Sequence, residues 1–213
     1  NVKNILEIGS AIGYSAIKMA LVNDKIKVTT IEKDDERYLM ALKNIKEFDL
    51  EKRITLISGD ALNIELQDKY DLIFIDAAKG QYTKFFEKYK YFLNKGGVII
   101  TDNINFHGYV GKSDTIESKN LRQLVGKIEN YIEFLKNNSL PDAFIVTDIG
   151  LIRELHKFFP KVPLHFSTQF GAHNIDDVNY IKSLGGERAI LARELTLDEI
   201  NNIKKQTDIE LEC

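Results

Sequence analysis

The stretch Ile5-Leu6-Glu7-Ile8-Gly9-Ser10-Ala11-Ile12-Gly13-Tyr14-Ser15 decides the fold. An apolar run too short for a helix ends in a glycine loop, and a helical pattern opens directly behind it, which is how a βαβ series begins. Two later apolar runs end in polar groups, Leu72-Ile73-Phe74-Ile75-Asp76 and Val98-Ile99-Ile100-Thr101-Asp102-Asn103. In an open parallel sheet the ligand crevice lies beyond the carboxyl ends of the strands. Adjacent strands are about 4.8 Å apart, so Asp76, Asp102 and Asn103 are expected to share one ion there.

Working outward, strands are expected at 4–8, 26–31, 54–58, 71–76 and 97–102, and helices at about 14–22, 35–48, 81–92 and 115–137. Asn94-Lys95-Gly96-Gly97 reads as a turn between a helix and a strand. The pattern predicts a doubly wound α/β sheet over 1–138. After Asn138–Pro141 the alternation resumes with a shorter beat, with strands expected at Ala143–Val146, Leu164–Ser167, Ala189–Ala192 and Ile209–Leu211. That spacing predicts a truncated (β/α) barrel fragment over 141–213, with open strand edges.

The composition narrows the function classes. The 29 basic and 32 acidic residues leave a net charge of −3, which gives no broad field for capturing a polyanion. RNA binding would have to be local. Basic and acidic residues number 21 and 20 up to residue 138, then 8 and 12 beyond it. A lone cysteine, Cys213, excludes an internal disulfide framework and a CxxC metal knuckle in this chain. No apolar run approaches the roughly 18 residues of a membrane span. The expectation is a soluble, cytoplasmic protein with no membrane partner. A first residue other than Met and an apolar pattern at the last one read as a piece of something longer.

The glycine loop has the form G-x-x-x-G and lacks the middle glycine that lets backbone approach a dinucleotide pyrophosphate, which argues against NAD. Such a loop suits a smaller group, such as an amino-acid carboxylate held by helix N-terminal amides and the Ser15 hydroxyl. Glu32 ends the second strand, where an acid accepts ribose hydroxyls. Asp60 ends the third and would border a base. An ordinary set of α/β turns with surface acids is the competing reading. It does not explain why successive strands each end in a suitable group. Two carboxylates and an amide carbonyl form a hard, all-oxygen set that favours Mg²⁺ or Ca²⁺ over zinc.

Taken together, ILEIGSAIGYSAI, TTIEKD, ISGDA, YDLIFIDAAKGQY and GGVIITDN resemble the metal-dependent, S-adenosylmethionine-using O-methyltransferases of the catechol/caffeoyl-CoA type, over residues 4–138. Within that family the chain is most similar to the bacterial branch that includes tRNA 5-hydroxyuridine methyltransferases. The resemblance implies a Rossmann-like methyltransferase sheet. It implies S-adenosylmethionine near Glu7, Gly9, Ser15, Glu32, Asp60, Ala61 and Asp76, and a divalent metal such as Mg²⁺ on Asp76, Asp102 and Asn103. Lys79 falls at the catalytic lysine, beside Asp76. For Lys79 alone, a solvated surface lysine is the competing reading. The implied partners are tRNA or a small hydroxylated, vicinal-diol-like substrate, and a homodimer is compatible with the family. The family's helices before the first strand and its final antiparallel strand pair have no counterpart here, and the former help to form the substrate site.

From Pro141 onward the sequence changes character. PDAFIVTDIGLIREL, PLHFSTQF, RAILARELTLDEI and TDIELEC resemble the amino-terminal barrel of the peptidase U32 family, which includes proteins required for tRNA hydroxylation. His165, Gln169, His173, Asn174, Arg193 and Glu194 occupy its motif positions. Asn174 and Thr196, each followed by acids, read rather as helix N-caps. No nucleophile, base and orienting partner can be assembled from this part. The two resemblances converge on the tRNA wobble uridine, one implying hydroxylation and the other methylation of the resulting hydroxyl. Two other readings stay open: a non-catalytic or defective fusion whose U32-like part is an interaction surface, and a U32-type hydroxylation or peptidase fragment.

Overall fold

The computed structural model describes residues 2–104, 108–111, 113–138, 141–147 and 149–213; for Ser113, Glu154 and Phe158 it describes the backbone alone. The described chain divides into two compact units, Asn1–Ile132 and Glu133–Cys213. The division lies a few residues before the expected linker at Asn138–Pro141, of which Ser139 and Leu140 fall outside the described residues.

The first unit begins with β1 (Asn4–Ile8), α1 (Tyr14–Leu21), β2 (Lys27–Glu32), α2 (Asp35–Glu47), β3 (Ile54–Ser58) and β4 (Tyr70–Ile75). α3 (Tyr82–Tyr89) and β5 (Leu93–Thr101) follow, and α4 (Lys119–Asn137) starts in this unit. The strands form one parallel sheet in the order β3-β2-β1-β4-β5. The order reverses direction beside β1, so the loop after β1 and the ends of β4 and β5 lie at the switch point where such sheets bind ligands. This is the Rossmann-like arrangement expected for the first part.

The strands are apolar because both sheet faces are covered. Ile5, Val28 and Ile54 pack with Ala16, Ile17 and Ala20 of α1 and Ile45 of α2 in one buried cluster. α3 and α4 meet through Tyr82 and Tyr131, whose ring centroids are 5.5 Å apart. The Tyr131 hydroxyl also lies 3.0 Å from Thr101 Oγ1 of β5. α2 starts where expected because the Asp34 carboxylate accepts the Arg37 N–H and acids fill the first turn.

Three elements of the first unit differ from the sequence reading. The expected turn at Asn94–Gly97 lies inside β5, which starts at Leu93: Tyr70 pairs with Leu93 and Leu72 with Val98, so the intervening residues bulge out of the ladder. Gly96 keeps the left-handed φ of 77° that the turn reading required. The expected helix 81–92 is broken into α3 flanked by 3₁₀ turns at Lys79–Gln81 and Lys90–Phe92. The expected helix 115–137 begins only at Lys119, after a 3₁₀ turn at Ser113–Thr115.

The second unit contains β6 (Phe144–Val146), α5 (Ile149–Phe158), β7 (Leu164–Phe166), α6 (Ile175–Ser183), β8 (Gly186–Ile190), α7 (Leu197–Lys204) and β9 (Glu210–Glu212). Its sheet is parallel and sequential, β6-β7-β8-β9, which is the strand order of part of a (β/α) barrel. β8 begins three residues earlier than expected. Gly186 is the reason: a Cβ there would lie 2.5 Å from Ile181 and 2.8 Å from Phe166, so close packing of α6 and β7 on the strand requires glycine. No described helix is long and apolar enough to cross a membrane.

β6 and β9 are the edges of a sheet whose strands are three to five residues long. Short edge strands open easily. Native-state hydrogen exchange is therefore expected to be faster across β6–β9 than across β1, β2 and β4, and equal protection in both sheets would overturn this.

Candidate active site

The site is built on Gly9, the residue after β1. Its φ is 99°, and a Cβ on it would lie 2.2 Å from the Asp76 carbonyl oxygen, so no other residue fits. That approach holds the glycine loop against the end of β4, with the Asp76 N–H donating to the Ile8 carbonyl at 3.0 Å. The loop continues through Ala11, held at φ 46°, to Gly13, whose φ of 82° places it at the N-terminus of α1 with no side-chain cap. A left-handed alanine costs about 1–2 kcal/mol. Glu32 sustains it, because Oε2 accepts the Ala11 N–H at 2.7 Å while Oε1 accepts those of Lys33 and Asp34.

Within the loop, the Ser10 hydroxyl is buried and is the buried side-chain polar atom without a partner among the described residues. A buried unpaired hydroxyl costs about 1–3 kcal/mol and calls for a bound group or water. Glu7 lies fully buried behind the loop, accepting the hydroxyls of Ser15 and Thr30. Burial pushes its carboxyl above the usual range, the two hydroxyls oppose that, and the charges of Asp76 and Glu32 add to it.

Asp60 follows β3, pairs with Lys33 at 2.7 Å and accepts the Leu62 N–H. Lys33 and that amide hold its carboxyl below the ordinary range. The turn carrying Ala61 is fixed by α3: Lys88 Nζ donates to the carbonyls of Ala61, Leu62 and Ile64, and the Tyr89 hydroxyl donates to that of Ala61.

Across the loop, Lys79 Nζ lies 3.9 Å from Asp76 Oδ1 and donates to the Tyr82 hydroxyl at 3.1 Å. Tyr82 in turn donates to the Asp102 carbonyl at 2.8 Å. Burial first, then the charges of Asp76 and Asp102, push the Tyr82 phenol well above its usual value, so it stays protonated and can serve as both acceptor and donor. The Lys79 side chain is 19% exposed, which is not the environment of a freely solvated lysine. Burial and the neighbouring charge of Asp76 raise the Asp102 carboxyl, and Lys79 partly offsets this. Asn103 adopts a left-handed φ of 58°, which Asn tolerates better than most residues. Among the described residues no group of three or more His, Cys, Asp and Glu could hold a metal. The expected set has two acids and an amide, so its fit rests on other grounds: Asp76 and Asp102 repel, and a hard cation would relieve that.

The sequence reading missed Ser10, Thr30, Tyr82 and Lys88. Thr30 pairs with Glu7 across β1 and β2, and Tyr82 lies one helical turn after Lys79, so register and spacing could have indicated both.

In the second unit Asn174 and Thr196 are N-caps, Asn174 accepting the N–H groups of Asp176 and Asp177 and Thr196 completing a capping box with Glu199. His165 aligns across the sheet with Arg188, which is ion-paired to Glu210 and Glu212. Burial and then the Arg188 charge depress the imidazole. Gln169, His173, Arg193 and Glu194 are exposed.

A parallel sheet with a glycine loop, an orphaned hydroxyl and acids at its switch point defines a Rossmann-like methyltransferase fold. The chain belongs to the O-methyltransferase family, whose model matches residues 1–139; residues 119–213 match that of Peptidase family U32. A putative caffeoyl-CoA O-methyltransferase from Staphylococcus aureus is 45% identical, covers 63% of this chain and 66% of its own, and superposes with a TM-score of 0.61. The O-methyltransferase from Bacillus cereus in complex with SAH is 31% identical, with coverages of 64% and 63% and a TM-score of 0.56. The tRNA hydroxylation protein P of Haemophilus influenzae is 42% identical over 89 residues, which are 40% of this chain and 19% of that protein. The chain spans 66% of the first curated O-methyltransferase relative it matches.

Because the buried Glu7 carboxyl is raised in the folded state, the protein takes up a proton there on folding. Its contribution is fully present below the ordinary glutamate pKa and is lost as pH rises towards the folded value. Glu7→Gln is therefore expected to gain denaturant stability relative to wild type as pH rises above the ordinary glutamate range. A difference that stays constant with pH would show that Glu7 ionises normally.

Proposed function

We propose that the protein is an S-adenosylmethionine- and divalent-metal-dependent O-methyltransferase whose acceptor is 5-hydroxyuridine at the tRNA wobble position. The observation that carries the activity is the Lys79–Tyr82–Asp102 hydrogen-bond chain, which holds the Lys79 side-chain nitrogen beside Asp76. The methyl donor fits the orphaned Ser10 hydroxyl and the uncapped N-terminus of α1, which offers N–H groups to a carboxylate. Gly9 lets the backbone come close, Glu32 flanks the pocket, Asp60 borders the base with Ala61 beside it, and Glu7 positions Ser15.

Asp76, Asp102 and Asn103 would hold the cation. When bound, it supplies Lewis acidity that lowers the acceptor hydroxyl's pKa, and the sulfonium supplies an electrophilic methyl. The chain's own residues do the rest. Asp76 and Tyr82 hold Lys79 where Nζ, in its amine form, can take the acceptor proton and become the ammonium. The loop and strand ends fix donor and acceptor in line.

The tRNA assignment rests on the U32 match and on the relatives named for tRNA hydroxylation, which would supply the hydroxyl that this site consumes. The O4 and O5 atoms of 5-hydroxyuridine are a vicinal oxygen pair that suits an open hard-metal site. Local lysines at Lys79 and Lys84 would carry RNA affinity; Lys112, the third such lysine, lies outside the described residues.

Incubation with labelled donor, Mg²⁺ and tRNA containing 5-hydroxyuridine is expected to label the RNA, and EDTA or Asp102→Ala to abolish labelling. Label on a simple catechol but never on tRNA would sink the substrate while sparing the activity. Calorimetry of S-adenosylhomocysteine is expected to show Glu32→Ala weakened by about 1–3 kcal/mol, the scale of lost hydrogen bonds to a charged group. Equal affinities would remove Glu32 from the site.

A further inference from the structure

Beside Lys79 a groove runs along the 77–81 loop to Leu124 of α4, and its titratable lining is three lysines, Lys79, Lys84 and Lys127, with no acid. Lys127 is built into it: a Cβ on Gly80 would lie 2.9 Å from Lys127 Cδ and 3.5 Å from its Nζ, so the chain lies along the loop because residue 80 has no side chain. Lys79 already has Asp76 and Tyr82 as partners. Lys84 and Lys127 have no carboxylate within ion-pair distance among the described residues. On a convex surface two such lysines would be ordinary solvated groups. On the wall of a concavity their fields add, and the chain as a whole is net negative, so the groove is a local exception.

We propose that this groove is a phosphate subsite, in which Lys84 and Lys127 hold a phosphate of the methyl acceptor while its hydroxyl lies at Lys79. The proposal rests on the methyltransferase reading above and adds what lets a chain of net negative charge retain its acceptor. Lysine ammonium groups bind phosphate as point charges without demanding bidentate geometry, which suits an open groove. The phosphate could belong to the RNA backbone next to the modified base or to a phosphorylated carrier such as a coenzyme A thioester. The chemistry is the same, and the two sources separate experimentally.

The test uses the full chain as wild type, Lys84→Gln, Lys127→Gln and the double variant. Lys25→Gln serves as a charge-matched control at the opposite ends of the strands. Anisotropy of a labelled anticodon stem-loop, with S-adenosylhomocysteine present, is followed across a salt series. The double variant should lose about 10-fold or more in RNA affinity, and its slope of log K against log salt should flatten by about 1.4, for two phosphate contacts to a single strand. Lys25→Gln should match wild type, and S-adenosylhomocysteine affinity should be the same throughout, which reports an intact fold. Lysine-dependent binding of coenzyme A without lysine-dependent RNA binding would assign the subsite to a carrier phosphate. Equal affinity of wild type and double variant for both ligands, or no binding of either by wild type, would overturn the proposal. Lysine-dependent RNA binding without methyl transfer to 5-hydroxyuridine would overturn the proposed acceptor chemistry and leave the subsite standing.

Discussion

The close approach of Gly9 to the Asp76 carbonyl sets the rest of the site. With a Cβ at position 9 placed 2.2 Å from that oxygen, the end of β1 and the end of β4 could not lie together. Because they do, the start of the glycine loop lies against Asp76. A hydride-transfer site on the same fold would need the middle glycine of G-x-G-x-x-G for pyrophosphate, where this loop has Ala11. Here Ser10 occupies the loop interior and leaves a buried hydroxyl without a partner.

Around that mouth the protein concentrates negative charge and then restrains it with directed hydrogen bonds. Glu7 is held by two hydroxyls, Glu32 by three backbone amides and Asp60 by Lys33 and an amide. Each carboxylate so engaged is rigid, which favours a preorganised pocket. Asp76 and Asp102 differ: burial and then the Asp76 charge raise the Asp102 carboxyl, and Lys79 and the Asn103 amide only partly offset this. Lys79 is held between them by Tyr82, whose phenol stays protonated because it is buried.

The second unit follows different rules. Its four short parallel strands carry an Arg188 ion-paired across the sheet to Glu210 and Glu212, and two of the polar residues read from its motifs, Asn174 and Thr196, are spent on helix caps. It is similar to the tRNA hydroxylation protein P of Haemophilus influenzae over 19% of that protein's length.

By itself the sequence determined the alternation of strands and helices, the glycine loop and the acids at strand ends, because periodicity and glycine placement are local properties of the chain. It placed β1 and β3 to the residue and recognised both families from contiguous motifs. The bulge that draws Asn94–Gly97 into β5 was not legible, since register depends on which strand lies alongside. The same holds for Thr30 against Glu7, for Tyr82 bridging Lys79 to Asp102, and for Lys88 fastening the turn at Ala61. These contacts join residues brought together only by packing. Sequence therefore fixed which groups reach the ends of the strands, and tertiary structure decided which of them touch, which are already committed to the protein, and which remain open for a ligand.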